Sequence, residues 1–194
     1  MLYRILSLFL FLNLFANAQT NWNTYATYSD LKEALQDKDD VKKLVLSKQK
    51  HTSVPEEVRQ LKNLVYLDLS KNKITSIPSW ISELTELKYL KLSRNKIIEL
   101  NDALYDLSKL EFLDLGDNFI SEISPKISQL TKLYELRLWS NEIDQLPEEI
   151  SELSSLKILD LRGILLNHEK QNQILEWLPD TRVYMDAPCN CGSH

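Results

Sequence analysis

The sequence predicts an α/β solenoid of stacked 23-residue coils, and three observations carry that expectation. Asn72, Asn95, Asn118 and Asn141 stand 23 residues apart. Each closes the frame L-x-x-L-x-L-x-x-N, at residues 64–72, 87–95, 110–118 and 133–141, with degraded copies at 41–49 and 156–164. A return stretch follows each frame, with apolar residues three and four apart and with Pro55, Pro78 and Pro147 in a single column.

The two halves of a coil have separate physical reasons. Leu64, Leu67 and Leu69 are placed as an extended segment places them, because side chains two apart share one face of a strand. Ile74, Ile77, Ile81 and Leu84 complete that layer, and the same inward set recurs as Ile97, Leu100, Leu104 and Leu107 one coil later. Their spacing suits a short helical or 3₁₀ return on the convex side, entered through a proline whose φ is fixed. Asn101 and Ser124 take the proline position in two coils, so the convex wall should vary locally. A buried Asn offers both donors and acceptors to loop backbone that would otherwise lack partners. Asn72, Asn95, Asn118 and Asn141 are therefore expected to be structural. A fixed period with this pattern is the signature of a leucine-rich repeat solenoid, with short parallel strands on its concave face.

In chain order, residues 1–18 read as a signal peptide. Arg4 gives a basic start, 5–15 is apolar, and Ala16-Asn-Ala18 is a small-x-small cleavage signal. That apolar run is short for a membrane span. Residues 19–40 form an N-terminal segment with a helical cap over 29–35, begun by Ser29 or Asp30, whose Leu31, Ala34 and Leu35 cover the first core layer. The repeats occupy 41–166. Residues 167–186 form a C-terminal cap, with a helix over 169–178 stopped by Pro179, an apolar lid of Ile174, Leu175, Trp177 and Leu178, and an extended 182–185. Residues 187–194 form a flexible tail holding Cys189 and Cys191, for which a disulfide and metal binding stand as alternatives.

The L-x-x-L-x-L-x-x-N-x-I-x-x-I-P units resemble those of exported bacterial leucine-rich repeat proteins of Leptospira. The likeness continues through Tyr28-Ser-Asp-Leu-Lys-Glu-Ala-Leu35 and Ile174-Leu-Glu-Trp-Leu-Pro179. The Ala-Asn-Ala-Gln signal resembles those of Bacteroidetes. The resemblance implies an exported scaffold making protein, host-surface or matrix contacts. Gln49 and Ile164 replace the ladder asparagine at the two ends, so the terminal units should be less regular.

Stacking brings the outward strand positions into columns about 5 Å apart. One column reads Val45, Asp68, Lys91, Asp114, Arg137 and Asp160, an alternation that either neutralises itself or recognises charge. Beside it run Lys43, Tyr66, Tyr89, Phe112, Glu135 and Ile158, with Trp139 in a further column. Tyr66, Tyr89, Phe112 and Trp139 form an aromatic strip, which either packs on itself or is exposed and offers binding area. Lys48, Lys71 and Arg94, next to Lys50, Lys73 and Lys96, form a basic edge suited either to solubility or to an acidic protein surface or anionic glycan.

The net charge of −5, or −6 after loss of Arg4, speaks against a nucleic-acid partner. His51, His168 and His194 lie in no zinc-protease motif, and no nucleophile elbow or phosphate loop is present. No enzyme activity, metal or cofactor is expected. The expected function is an exported, noncatalytic module that binds an unidentified protein, such as a host or cell-surface protein, through the concave face. Glycan or cell-surface polymer binding and a structural envelope role are the alternatives. Its location would be periplasmic, secreted or on the cell surface.

Overall fold

A computed structural model describes residues 24–188. The proposed signal peptide, Cys189, Cys191 and His194 lie outside the described residues. Eight parallel strands form one sheet in strict chain order. They are β1 (Thr27–Tyr28), β2 (Lys43–Val45), β3 (Tyr66–Asp68), β4 (Tyr89–Lys91), β5 (Phe112–Asp114), β6 (Glu135–Arg137), β7 (Ile158–Asp160) and β8 (Arg182–Tyr184). The register carries the repeat into space: Leu44, Leu67, Leu90, Leu113, Leu136 and Leu159 pair in succession. All six are fully buried.

Each of the five complete returns is a 3₁₀ segment: Glu56–Gln60, Ser79–Glu83, Asp102–Leu104, Pro125–Gln129 and Glu148–Glu152. Segments of this length satisfy their backbone by i→i+3 bonds, as in Val58 N–H to the Pro55 carbonyl, without the room an α-helix needs. Pro55, Pro78 and Pro147 stand directly before three of them. Where the proline is missing, a side chain takes over: Asn101 Oδ1 accepts from Ala103 N–H (2.9 Å), and Ser124 Oγ accepts from Lys126 N–H (3.3 Å). Val58, Ile81, Leu104, Ile127 and Ile150 seal the convex side of the core.

The Asn101 coil differs from the expectation. Leu100 is only partly buried, and Tyr105 is buried in that layer instead, its hydroxyl accepting from Ser124 N–H (3.3 Å). The shortened 3₁₀ segment of this coil turns Tyr105 inward. Burial pushes the Tyr105 hydroxyl up to about 12.

The ends close the stack differently. At the N terminus, helix α1 (Leu31–Ala34) is capped by Asp30, which accepts from Glu33 N–H (3.0 Å). Ala34 is buried against the first coil, and β1 adds an edge strand that the repeat pattern did not announce. At the C terminus, helix α2 (His168–Trp177) is capped by Asn167. Its Ile174 and the following Leu178 are buried, but Leu175 is 48% exposed and so is not part of the lid. Buried Gln171 instead donates to the carbonyls of Leu166 (3.2 Å) and Asp186 (3.1 Å), tying the helix to the end of the cap. The extended 182–185 segment supplies β8.

Parallel sheets are usually covered on both faces. Here the 3₁₀ segments cover one face and the other faces outward, which makes the concave columns available.

Candidate interaction surfaces

The asparagine column lies between these two faces. Asn118 Nδ2 donates to the carbonyls of Leu92 (3.1 Å) and Leu115 (2.8 Å), while its Oδ1 accepts from Ile97 N–H (3.1 Å). Asn95 and Asn141 repeat this arrangement one coil away on each side. Asn72 makes the same donations and accepts from both Gln49 and His51 N–H. Gln49 leaves the ladder and reaches out to the Ser29 carbonyl (2.8 Å), and at the other end buried Ile164 closes the column.

On the concave face the alternating charges are not a ladder of mutual ion pairs. The three aspartates each brace the turn after their own strand: Asp68 accepts from Ser70 N–H (2.9 Å), Asp114 from Gly116 N–H (3.2 Å) and Asp160 from Arg162 N–H (3.2 Å). These are Asx-type turns, in which a short carboxylate bonds backbone two residues on. Asp114 also accepts from Ser93 Oγ (2.8 Å), and Asp160 is paired with Arg162 (2.6 Å). Burial pushes the Asp160 carboxyl up, but the bonds from Arg162 and the charge of Arg137 outweigh it and leave it below the ordinary range.

The cations of the intervening coils lie over rings. Lys91 Nζ stands 5.7 Å from the Tyr66 ring centre and 5.8 Å from that of Phe112. The Arg137 guanidinium stands 5.1 Å from Phe112, and Lys43 5.3 Å from Tyr66. Arg137 is also bonded to nearly buried Glu135 (2.6 Å). Cations placed over ring faces are attracted by the ring quadrupole. Beneath them, Tyr66 and Tyr89 are tilted at 6.1 Å, and Tyr89 and Phe112 stack at 6.2 Å.

The strip is consequently less open than an exposed row of rings. Tyr66 is only 5% exposed, because the Tyr89 ring and two lysines crowd over it. Tyr89 and Phe112 are half-buried. Burial, and then Glu111 beside the hydroxyl, push Tyr89 up to about 12.

Trp139 has a seat that sequence reasoning missed. A side chain on Gly116 would place its Cβ 2.0 Å from Trp139 Nε1, so the indole lies directly over the glycine. Arg94 covers the indole at 5.8 Å and stands 3.7 Å from Asp117. The signal was a small residue one coil before a large one in the same column. Lys43, noted in its column but not assigned to the site, belongs to this surface as well.

At the edge where strands run into loops, Lys48, Lys71, Arg94, Asp117 and Ser140 all have left-handed backbone, with φ between 52° and 61°, and Gly163 ends their column at 78°. Backbone bonds hold the column in register, as in Lys71 N–H to the Ser93 carbonyl (2.8 Å) and Arg94 N–H to the Gly116 carbonyl (2.8 Å). Lys48, Lys50, Lys71, Lys73, Arg94 and Lys96 are all exposed.

Among the described residues, no three His, Cys, Asp or Glu side chains gather as a metal site. No helix among them is long and apolar enough to cross a membrane.

A leucine-rich repeat region model matches residues 80–178, and a second leucine rich repeat model matches 39–97. A solved Leptospira interrogans LRR protein is similar at 29% identity and a TM-score of 0.68, over 84% of this chain and 49% of that one. Internalin C2 from Listeria monocytogenes is similar in fold at 22% identity and a TM-score of 0.63, over 76% of this chain and 62% of that one. An internalin InlF from the same organism shares 25% identity at a TM-score of 0.57, over 82% of this chain and 53% of that one. The chain thus spans about half to three fifths of the length of these structures. No curated protein matches the sequence. Repeat frame, unbroken parallel register and matched models agree, and the chain belongs to the leucine-rich repeat family, in its bacterial short-repeat form.

Proposed function

We propose that this chain is an exported, noncatalytic module that binds a protein across its concave face. The observation that carries the reading is the tiling of that face, where Lys91 and Arg137 lie over packed rings and Arg94 lies over Trp139. The strands beneath are locked by the sheet, so the partner meets side chains that already hold their places. Binding then orders little further, which favours affinity. Arginine, tryptophan and tyrosine are also the residue types that dominate interface energetics. Tyr66 acts here as support for the neighbouring rings; Tyr89, Lys91, Arg94, Phe112, Arg137 and Trp139 form the contact surface. Stacking of a sugar on this strip is disfavoured, since cations already cover the ring faces. The basic start, apolar 5–15 run and Ala-Asn-Ala signal support export.

The test is affinity capture with the processed chain beside its Lys91→Ala/Trp139→Ala variant. A protein partner should be retained by the first and lost by the second, and removal of glycans from the extract should leave retention unchanged. Equal retention by both would sink the proposed face. Export should carry the chain out of the cytoplasm and mass measurement should place its first residue at Gln19; a chain retained in the cytoplasm with Met1 intact would overturn the export reading.

A further inference from the structure

The edge of the solenoid gathers its cations in two columns that hold no carboxylate before Asp117. Arg59, Lys62, Lys88, Lys109 and Lys126 pair with carboxylates of neighbouring coils at 2.6–2.8 Å. Lys48, Lys50, Lys71, Lys73 and Lys96 form no ion pair with any described residue, although the whole chain is acidic. Arg94 is held only loosely by Asp117, at the boundary where the same columns change character. Across three adjacent coils the edge is therefore purely cationic, with neighbours about 5 Å apart.

Partly apolar surface lies at both ends of this row. At one end Lys50 borders an open hollow of about 680 Å³ of mixed lining, in which half-buried Leu31 and Leu35 of the N-terminal cap stand with Pro55, His51 and Glu57. At the other end the lysine column continues into Phe119, 47% exposed, and Ile98 of the preceding coil is 57% exposed. The Phe119 N–H bonds the Ile97 carbonyl (2.9 Å), which fixes the Phe119 backbone against that coil. Lys48, Lys50, Lys71 and Arg94 also keep left-handed backbone, which costs a side-chain-bearing residue roughly 1–2 kcal/mol where glycine would pass freely. The row thus presents a cluster of exposed cations with partly apolar surface at each end.

We infer that this edge is a second docking surface, separate from the concave face, for an extended acidic peptide segment of a partner protein. From the Lys50 coil to the Phe119 coil is three steps, or roughly 15 Å, which an extended chain crosses in about five residues. Side chains alternate along an extended chain, so the occupant is a run of about five acidic residues flanked by two aliphatic residues that share one face. On that face one apolar end sits on Leu31 and Leu35, alternate carboxylates meet the lysines, and the other end meets Phe119. A sulfated glycan satisfies the cations but offers nothing to either apolar end, so the peptide is the better fit.

The probe is a capped, dye-labelled peptide of sequence Leu-Glu-Glu-Glu-Glu-Glu-Leu, titrated against the full chain by fluorescence anisotropy. Three comparison ligands accompany it: a Glu→Gln version, a version with both leucines changed to serine, and heparin. Binding should weaken steeply with salt, and should be lost in the glutamine peptide and reduced in the serine peptide. The exposed Lys73→Glu/Lys96→Glu variant should keep its melting point and bind about tenfold more weakly. The concave Lys91→Ala/Trp139→Ala variant should bind this peptide normally, which separates the two surfaces. Three results would each overturn the inference: equal affinity of the glutamine peptide, equal affinity of the charge-reversed variant, or heparin binding with no peptide binding. Unchanged affinity of the serine peptide would remove the apolar ends from it.

Discussion

Two adjacent columns of this solenoid answer to different physics. Asn72, Asn95, Asn118 and Asn141 are one residue along from Lys71, Arg94, Asp117 and Ser140. The asparagines are buried and bonded to three or more backbone groups each, so their chemistry is dictated by what would otherwise go unpaired. Their neighbours share a backbone shape, φ near +55°, but their side chains are outside. Shape alone constrains them, and it tolerates lysine, arginine, aspartate, serine and glycine. The lesson is that invariance along a repeat marks buried hydrogen bonding, while variation at a conformationally fixed position leaves room for recognition.

The largest expected effect breaks the buried column. Asn118→Ala removes donors to Leu92 and Leu115 and the acceptor for Ile97, in an interior where each orphaned group costs about 1–3 kcal/mol. Chemical denaturation should report a loss of roughly 3 kcal/mol, allowing for partial rescue by water. Asn118→Asp should recover little, because a carboxylate accepts from Ile97 but cannot donate to the two carbonyls. A loss below that of an ordinary exposed substitution would show that the ladder does not hold the coils.

A smaller effect tests the shape column at its one glycine. Gly163→Ala must hold φ near +78° and would place its Cβ 2.6 Å from Ser140 Oγ and 3.2 Å from Ser140 backbone. The expected cost is about 1–2 kcal/mol by denaturation, with peptide and concave binding unaltered. The alanine variant melting with the parent would mean that this turn relaxes freely.

Much of this contrast was legible in the sequence, and the parts that were not have identifiable reasons. The asparagines and inward leucines announce themselves because burial demands the same residue type in every coil. Left-handed backbone at Lys71 and Arg94 leaves no such trace, since lysine and arginine are not residues that normally signal positive φ. The concave columns were placed correctly relative to one another by the 23-residue period, as the Tyr66–Tyr89 and Tyr89–Phe112 pairings show. Their degree of exposure was not, because Tyr66 is covered by side chains of other coils. Likewise the aspartates looked like partners of Lys91 and Arg137, yet a turn amide two residues away is the nearer claimant. Strands β1 and β8 lack the leucine frame altogether and are strands because an edge was there to pair with.

Titration provides a third way to sharpen the inside–outside difference. Tyr105 faces the core and its hydroxyl is raised to about 12, from an ordinary value near 10. A raised folded value means that the unfolded chain loses this proton first. The stabilisation is thus complete below pH 10 and disappears as pH rises towards 12. Tyr105→Phe should flatten part of that alkaline decline while costing about 1 kcal/mol at neutral pH for the lost Ser124 contact. Outward-facing Glu83, lowered to about 2 by bonds from Arg59 and Lys62, behaves oppositely. Its contribution is present above about 4.5 and is lost as pH falls towards 2, but solvent screening at the surface makes that contribution small.

The smallest effect is the most discriminating, because it should be a gain. Asn tolerates left-handed backbone better than lysine, so Lys71→Asn should stabilise the fold by about 0.5 kcal/mol. Nothing recorded is lost, as Lys71 is exposed and in no ion pair with a described residue. The same change one coil along, Arg94→Asn, relieves the same strain but strips the guanidinium from the Trp139 indole and from Asp117. A cation–π contact at a partly exposed site is worth about 0.5–1 kcal/mol, enough to cancel the gain. Differential denaturation of the pair should therefore give a more stable Lys71→Asn chain and an unchanged Arg94→Asn chain. Equal gains would mean that Arg94 contributes nothing through Trp139, and that the concave tiling stops short of the edge.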